Sequence, residues 1–147
     1  KVPFVKGLAD IASKQATKNG QIRTLLGRKG RFHLWEPTTF GAGKPLPHDE
    51  AMKEYGGPNG RGIRRAFTYK ALNKLIQGSA ADQTKKAMLD CYNEGYTPML
   101  TVHDELCFNI DSPEQTARIK EIMETGIKLS IPSKIDVDVQ NDWGEIE

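Results

Sequence analysis

Only two cysteines occur in this 147-residue chain, Cys91 and Cys107. They supply neither a disulfide framework nor a CxxC metal spacing, which excludes a small stapled secreted scaffold. Both are expected to pack as small apolar residues, in a cytoplasmic setting. No apolar run approaches a membrane span, and no secretory leader is visible. The chain opens on Lys1 rather than Met, so its natural start is expected to lie elsewhere. A second metal-ligand cluster is also missing: His48 stands beside Asp49 and Glu50 with no further ligand-type residue placed to close a site.

Charged residues make up 27% of the chain and hydrophobic ones 37%, which suits one globular domain or a piece of one. The net charge of +2 conceals a gradient. Residues 1–34 carry eight Lys/Arg against one acid, a net of +7. Residues 35–100 carry nine bases and seven acids, a net of +2, and residues 101–147 carry four bases and eleven acids, a net of −7. Such asymmetry suits a basic face for a polyanion beside an acidic region able to hold cations.

Local patterns set the elements. Val5, Leu8, Ala9, Ala12 and Ala16 recur at helical spacing over residues 3–18, and Asn19-Gly20 is a natural stop. Gln21 to Leu26 and Arg31 to Trp35 read as a hairpin about Gly27, carrying Arg23, Arg28, Lys29 and Arg31, a set that can track a phosphate backbone. Residues 36–62, with four prolines and six glycines, read as one long loop, either mobile or ordered by a partner. From Gly62 to about Asn93 the pattern is helical, opening with Arg61, Arg64 and Arg65. Asn73 and Gln77 fall on one face of it, beside Gly78. A glycine there points to a kink or to close approach by another backbone, and two amides beside it form either a platform for base edges or an ordinary capped break.

The run Met99 to Phe108 reads as a hairpin whose tip holds His103, Asp104 and Glu105. Adjacent carboxylates beside an imidazole suit a metal or a partner's basic group, and equally a solvated turn. Ser112-Pro113-Glu114-Gln115 starts a helix with Ile119, Ile122, Met123 and Ile127 on its buried face, and Ile135 to Gln140 alternates as a strand. Trp143 is expected to pack back on the domain.

Three of these segments, in this order, resemble the C-terminal portion of the family A DNA polymerases, the DNA polymerase I class that includes phage replicative enzymes. Thr24-Leu25-Leu26-Gly27-Arg28 is similar to the family's T-L-x-G-R hairpin. Asn73 to Asp82 is similar to its N-x-x-x-Q-G-[ST]-A-A-D helix, and Val102-His103-Asp104-Glu105 to its last catalytic motif. The resemblance implies an α+β fold, part of a polymerase palm (an antiparallel sheet with flanking helices) plus the end of the fingers, over residues 1–147.

It also implies roles. Asp104 would be one of two aspartates holding a catalytic Mg²⁺ pair, with Glu105 supporting it and His103 near the primer terminus. Asn73 and Gln77 would reach the minor groove of new base pairs. Arg23, Arg28, Arg64 and Arg65 would contact the DNA backbone or stabilise the fold around it. Primer-template DNA and a dNTP are the implied partners, in the host cytoplasm if the chain is phage-encoded. The chain departs from the family pattern at Tyr69, where a basic residue is usual, with Lys70 beside it. Nothing in residues 1–60 resembles the motif that carries the other metal-binding aspartate, and the nucleotide-binding fingers helix is absent. An upstream polymerase segment is therefore the expected partner, and the chain alone is expected to be inactive. The alternatives are a non-catalytic nucleic-acid-binding fragment and, without the resemblance, a metal hydrolase built on His103, Asp104 and Glu105.

Overall fold

A computed structural model describes residues 4–58 and 62–142. The fold is α+β and divides into two compact units, Lys1–Ser79 and Ala80–Glu147, with the division falling inside a long helix.

The first unit begins with α1 (Val5–Asn19), which Gly20 ends in the left-handed conformation, φ 66°, its N–H donating to the Ala16 carbonyl at 2.9 Å. Small residues let this helix sit close to its neighbours: Ala12 and Ala16 are buried with Ile22, Phe32 and Ala71, and Leu72 and Leu75 pack on that cluster. Val5 and Leu8 belong to the expected apolar stripe but are about half exposed, so the buried face is narrower than the spacing implies.

β1 (Gln21–Arg23) pairs antiparallel with β2 (Lys29–Arg31), in the register Gln21↔Arg31. The returning strand expected at Arg31–Trp35 is in fact split. β3 (Leu34–Pro37) leaves the hairpin and becomes the centre of a second sheet, between β4 (Leu46–Pro47) and β5 (Ile63–Arg65). The long loop expected at 36–62 is likewise corrected: it contains β4 and α2 (His48–Tyr55). Its proline and glycine content masked a two-turn helix that carries Asp49 and Glu50 in its first turn and buries Ala51. Pro47 directly precedes that helix, where a missing N–H costs nothing. Arg64 and Arg65 accordingly lie on a strand rather than at a helix start, because they pair across to Glu36 and Trp35.

After a 3₁₀ turn at Thr68–Lys70, α3 runs from Ala71 to Asn93. In the second unit Gly95 (φ 91°) turns the chain away, and the Tyr96 N–H donates to the Cys91 carbonyl at 2.9 Å. β6 (Leu100–Val102) and β7 (Glu105–Cys107) form the expected hairpin. α4 (Pro113–Thr125) follows, with Ser112 Oγ accepting from the Gln115 N–H at 3.4 Å and Gln115 Oε1 accepting from the Asp111 N–H at 2.8 Å. Cys91, Ile119 and Ile122 are buried together, with Phe108, Ile110 and Met123 against them. Burial pushes the Cys91 thiol up, and the Asp90 and Glu94 carboxylates add to the effect.

Residues 135–140 do not form the expected strand. Alternation fixes which side chains share a face, but a strand needs a neighbour for its ladder, and none pairs with this segment among the described residues. Val137 and Val139 stay exposed. What anchors the segment is Glu124, whose carboxylate accepts from the Ile135 N–H at 3.1 Å and from Lys134 Nζ at 3.3 Å. The Ile135 bond, and then Lys134, hold the Glu124 carboxyl below its ordinary range. A depressed carboxyl stabilises above its unfolded titration range and loses that contribution as pH falls through its folded one. The Ile135 amide is therefore expected to shift toward a free position on acidification, as followed by NMR titration. A Glu124→Gln variant should weaken the same anchor at neutral pH. An Ile135 amide indifferent to both changes would contradict this. Trp143 lies outside the described residues.

Candidate functional site

The turn between β1 and β2 is docked on α3. The Thr24 N–H donates to the Arg28 carbonyl at 2.9 Å and the Gly27 N–H to the Thr24 carbonyl at 2.9 Å. Gly27 takes φ 84°, which only glycine adopts at no cost. Ser79 Oγ accepts from the Leu25 N–H at 3.0 Å and donates to the Leu75 carbonyl at 2.8 Å. Arg28 Nη2 donates to the Gly78 carbonyl at 2.7 Å. The glycine inside α3 thus marks close approach, one of the two readings its place in the sequence allows. What approaches is a side chain rather than a backbone: a Cβ on Gly78 would lie 2.7 Å from Thr24 Cγ2.

Thr24 is buried and branched at Cβ, so it cannot swing clear. Gly78→Ala should gain about 1 kcal/mol in helix propensity. It should lose about 1–3 kcal/mol to overpacking. The expected net is destabilisation by about 1 kcal/mol. In a Thr24→Ser background the obstructing methyl is gone, and the same change should become stabilising. Urea unfolding of the four variants measures the sign in each background, and equal signs would refute the contact.

The predicted basic residues are engaged in different ways. Arg23 Nη1 donates to the Gly27 carbonyl at 3.4 Å, a contact internal to the turn. Arg64 Nε pairs with Glu36 Oε1 at 3.0 Å across the sheet, an exposed bridge worth less than about 1 kcal/mol. Arg65 holds several segments of its unit at once. Its Nη1 donates to the Phe32 carbonyl at 3.0 Å and its Nε to the Thr17 carbonyl at 3.2 Å. The same guanidinium lies 4.6 Å from the centroid of Trp35. His48 meets that indole edge-on at 4.9 Å, which gives a packing role to a residue the sequence presents as loop decoration.

Asn73 and Gln77 are exposed, one turn apart on α3. They line an open groove of about 350 Å³ with Arg31, Phe32, Phe67 and Lys70 among its other walls. Sequence patterning missed Ser79 as the hairpin's anchor and Phe67 as a wall. Ser79 stands at the [ST] position of the helix motif and could have been found there. Phe67 gives no such signal.

In the second unit β6 and β7 carry the acidic tip. His103 is held at φ 54°, a left-handed conformation that few non-glycine residues take. It lets a two-residue turn join Val102 to Glu105, which face one another in the ladder. His103, Asp104 and Glu105 are all exposed, and neither carboxylate forms an ion pair with a described residue. Water screens the repulsion between them, so this tip costs little as it stands. No group of three or more His, Cys, Asp or Glu able to hold a metal occurs among the described residues. An exposed carboxylate still fits Mg²⁺, a hard ion usually held by one or two carboxylates together with substrate phosphates. Asp104 can thus be part of such a site without being the whole of it.

A family model described as DNA polymerase family A matches residues 1–145. The DNA-directed DNA polymerase of Pseudomonas phage M6 is 36% identical over 144 residues, covering 98% of this chain and 18% of that relative. The thermostable DNA polymerase I of Thermus filiformis is 34% identical over 130 residues, covering 84% of this chain and 14% of that relative. Among solved structures, the POL domain of Pol1 from M. smegmatis in complex with DNA primer-template and dNTP superimposes with a TM-score of 0.60. That pair shares 27% identity over 88% of this chain and 21% of the other. The chain spans less than a fifth of the length of these two sequence relatives.

Proposed function

The chain belongs to DNA polymerase family A, and from that premise we propose that it is a C-terminal palm segment, with the end of the fingers, of a DNA-directed DNA polymerase. The observation that carries the reading is the family match itself, which runs through both hairpins and α3. The reaction is template-directed addition of a deoxynucleotide to a primer 3′ end.

Each residue then has a task set by its place. Asp104, lifted to an exposed tip by the left-handed His103, supplies one carboxylate to a Mg²⁺ site. Magnesium, when bound there, favours ionisation of the primer 3′-hydroxyl and neutralises charge on the attacked phosphate and leaving pyrophosphate. Glu105 supports Asp104 through the local field, and His103 lies toward the primer terminus. Asn73 and Gln77 offer amide donors to minor-groove acceptors, which sit nearly alike in every correct base pair. Such contacts check geometry without reading sequence. Arg28 and Arg65 hold the hairpin and the first unit's segments in place, and Arg23 and Arg64 contact the DNA backbone or stabilise the fold around it.

A two-metal site takes a second aspartate and the chain spans 18% of its phage relative, so the proposed partner is an upstream polymerase segment that carries that aspartate and the nucleotide-binding helix. The test is primer extension with Mg²⁺, using this chain alone and mixed with a separately expressed upstream half of a family member. Extension only in the mixture is expected. Extension by the chain alone would refute its dependence on a second segment. Salt-sensitive DNA binding without extension in either case would favour a non-catalytic nucleic-acid-binding fragment.

A further inference from the structure

The segment between β3 and β4 has no part in the proposed reaction, and its most exposed point is an aromatic ring. Phe40 is 95% exposed, more than any other large apolar side chain among the described residues. It is held out by a built turn. The Ala42 N–H donates to the Thr39 carbonyl at 3.3 Å, and Gly41 takes φ 76°, the left-handed value that a type II turn needs at its third residue. Phe40 is the second residue of that turn, at its corner. Both flanks are tied down. On one side the Thr38 N–H and Oγ1 both donate to the Gly62 carbonyl, at 2.9 and 3.3 Å. On the other, Gly43 lies so close to α2 that a Cβ there would stand 2.6 Å from the Tyr55 ring, and β4 then pairs back on β3.

Charge limits what this ring can meet. Between Pro37 and Pro47 the one charged residue is Lys44, which is exposed. The first unit as a whole holds fifteen Lys/Arg against five acids, a net of +10. Such a surface favours a polyanion, and a polyanion with flat apolar faces is a nucleic acid. An aromatic ring stacks on any base whose face is open, whatever the base. Paired bases offer only their edges in the grooves, so the base that Phe40 meets must be unpaired. The turn also belongs to the sheet that borders the groove of Asn73 and Gln77. Leu34 lines that groove, and β3 runs from Leu34 to the turn, a reach of about 20 Å along an extended chain. We infer that Phe40 stacks on an unpaired base of the single-stranded template, beyond the duplex that Asn73 and Gln77 are proposed to reach. The inference rests on the polymerase reading for the identity of the strand, and goes beyond it in giving the β3–β4 turn a ligand.

Removing the bases while keeping the phosphates supplies a readout that a merely structural phenylalanine would not move. Anisotropy with the 147-residue chain compares a blunt duplex, the same duplex with a single-stranded template overhang of about ten nucleotides, and that overhang made abasic. The wild type should prefer the intact overhang to both of the others. Phe40→Ala should bind the intact overhang about fivefold or more weakly, the effect of losing one stacked base, and bind the other two DNAs as the wild type does. Phe40→Trp should keep the preference. Phe40→Leu, equally apolar but without a π face, should lose most of it, and circular dichroism should show all four proteins folded. A wild type that binds duplex with no preference for the intact overhang, or a preference that Phe40→Ala retains, overturns the inference and leaves the polymerase reading standing. So does a Phe40→Ala loss that is equal on all three DNAs. Phe40→Leu as good as the wild type also overturns it, in favour of a purely apolar contact such as a protein pocket. A wild type that binds none of these DNAs overturns the polymerase reading along with it.

Discussion

Asp104→Ala is expected to abolish extension in the mixture of this chain with an upstream polymerase half while leaving primer-template affinity unchanged or slightly improved. The two effects separate because Asp104 is exposed at a hairpin tip and makes no ion pair with a described residue. Removing it breaks nothing in the fold and takes one negative charge away from the neighbourhood of a polyanion. A metal ligand, by contrast, matters in the transition state, where charge stabilisation is worth several kcal/mol, or at least about a thousandfold in rate. Single-nucleotide incorporation and anisotropy, measured on the same protein, read the two quantities. A rate loss below tenfold would remove Asp104 from the metal site. A large loss of affinity would instead make it a DNA-binding residue.

The second large effect is on stability. Arg65→Ala should destabilise the first unit by about 2–3 kcal/mol, because it removes two hydrogen bonds from a charged donor and a guanidinium–indole stack. The Phe32 and Thr17 carbonyls would lose their donor, and Trp35 would lose the cation on its face. Arg65→Lys should not restore the loss. An ammonium cannot bridge two carbonyls in a fixed fork while lying flat on a ring. Urea midpoints of the wild type and both variants make the comparison. An Arg65→Lys variant as stable as the wild type would mean that charge alone, not the planar fork, holds these segments. Arg64, one residue earlier, is the internal contrast, since its exposed bridge to Glu36 should cost less than about 1 kcal/mol to remove.

How far the sequence could be read depended on whether a signal was local. Ser112, Pro113 and Gln115 start α4 through contacts within four residues, and Gly20 ends α1 through its own backbone, so both ends were legible. The acidic hairpin was legible too, since its alternation and its turn lie within ten residues. Gly78 is half legible: the sequence leaves open a kink or a close approach by another backbone, and only the fold shows that the Thr24 and Arg28 side chains approach it. Residues 36–62 hid α2 because prolines and glycines dominate any window there, while the helix needs only eight residues and one buried alanine. The alternation at 135–140 was real but described a face, not a partner. For Arg65 the sequence leaves a DNA-backbone contact and a stabilising role both open, and its position says nothing of which segments it holds. Its actual contacts lie 48 and 33 positions away in sequence, where no pattern reaches.

That this chain completes a polymerase palm is tested most directly by a chimera in which it replaces the matching segment of the phage relative's polymerase, assayed by Mg²⁺-dependent primer extension. Extension by the chimera, lost in its Asp104→Ala form, is expected. A folded chimera that binds primer-template with wild-type salt dependence yet adds no nucleotide would contradict the proposed function.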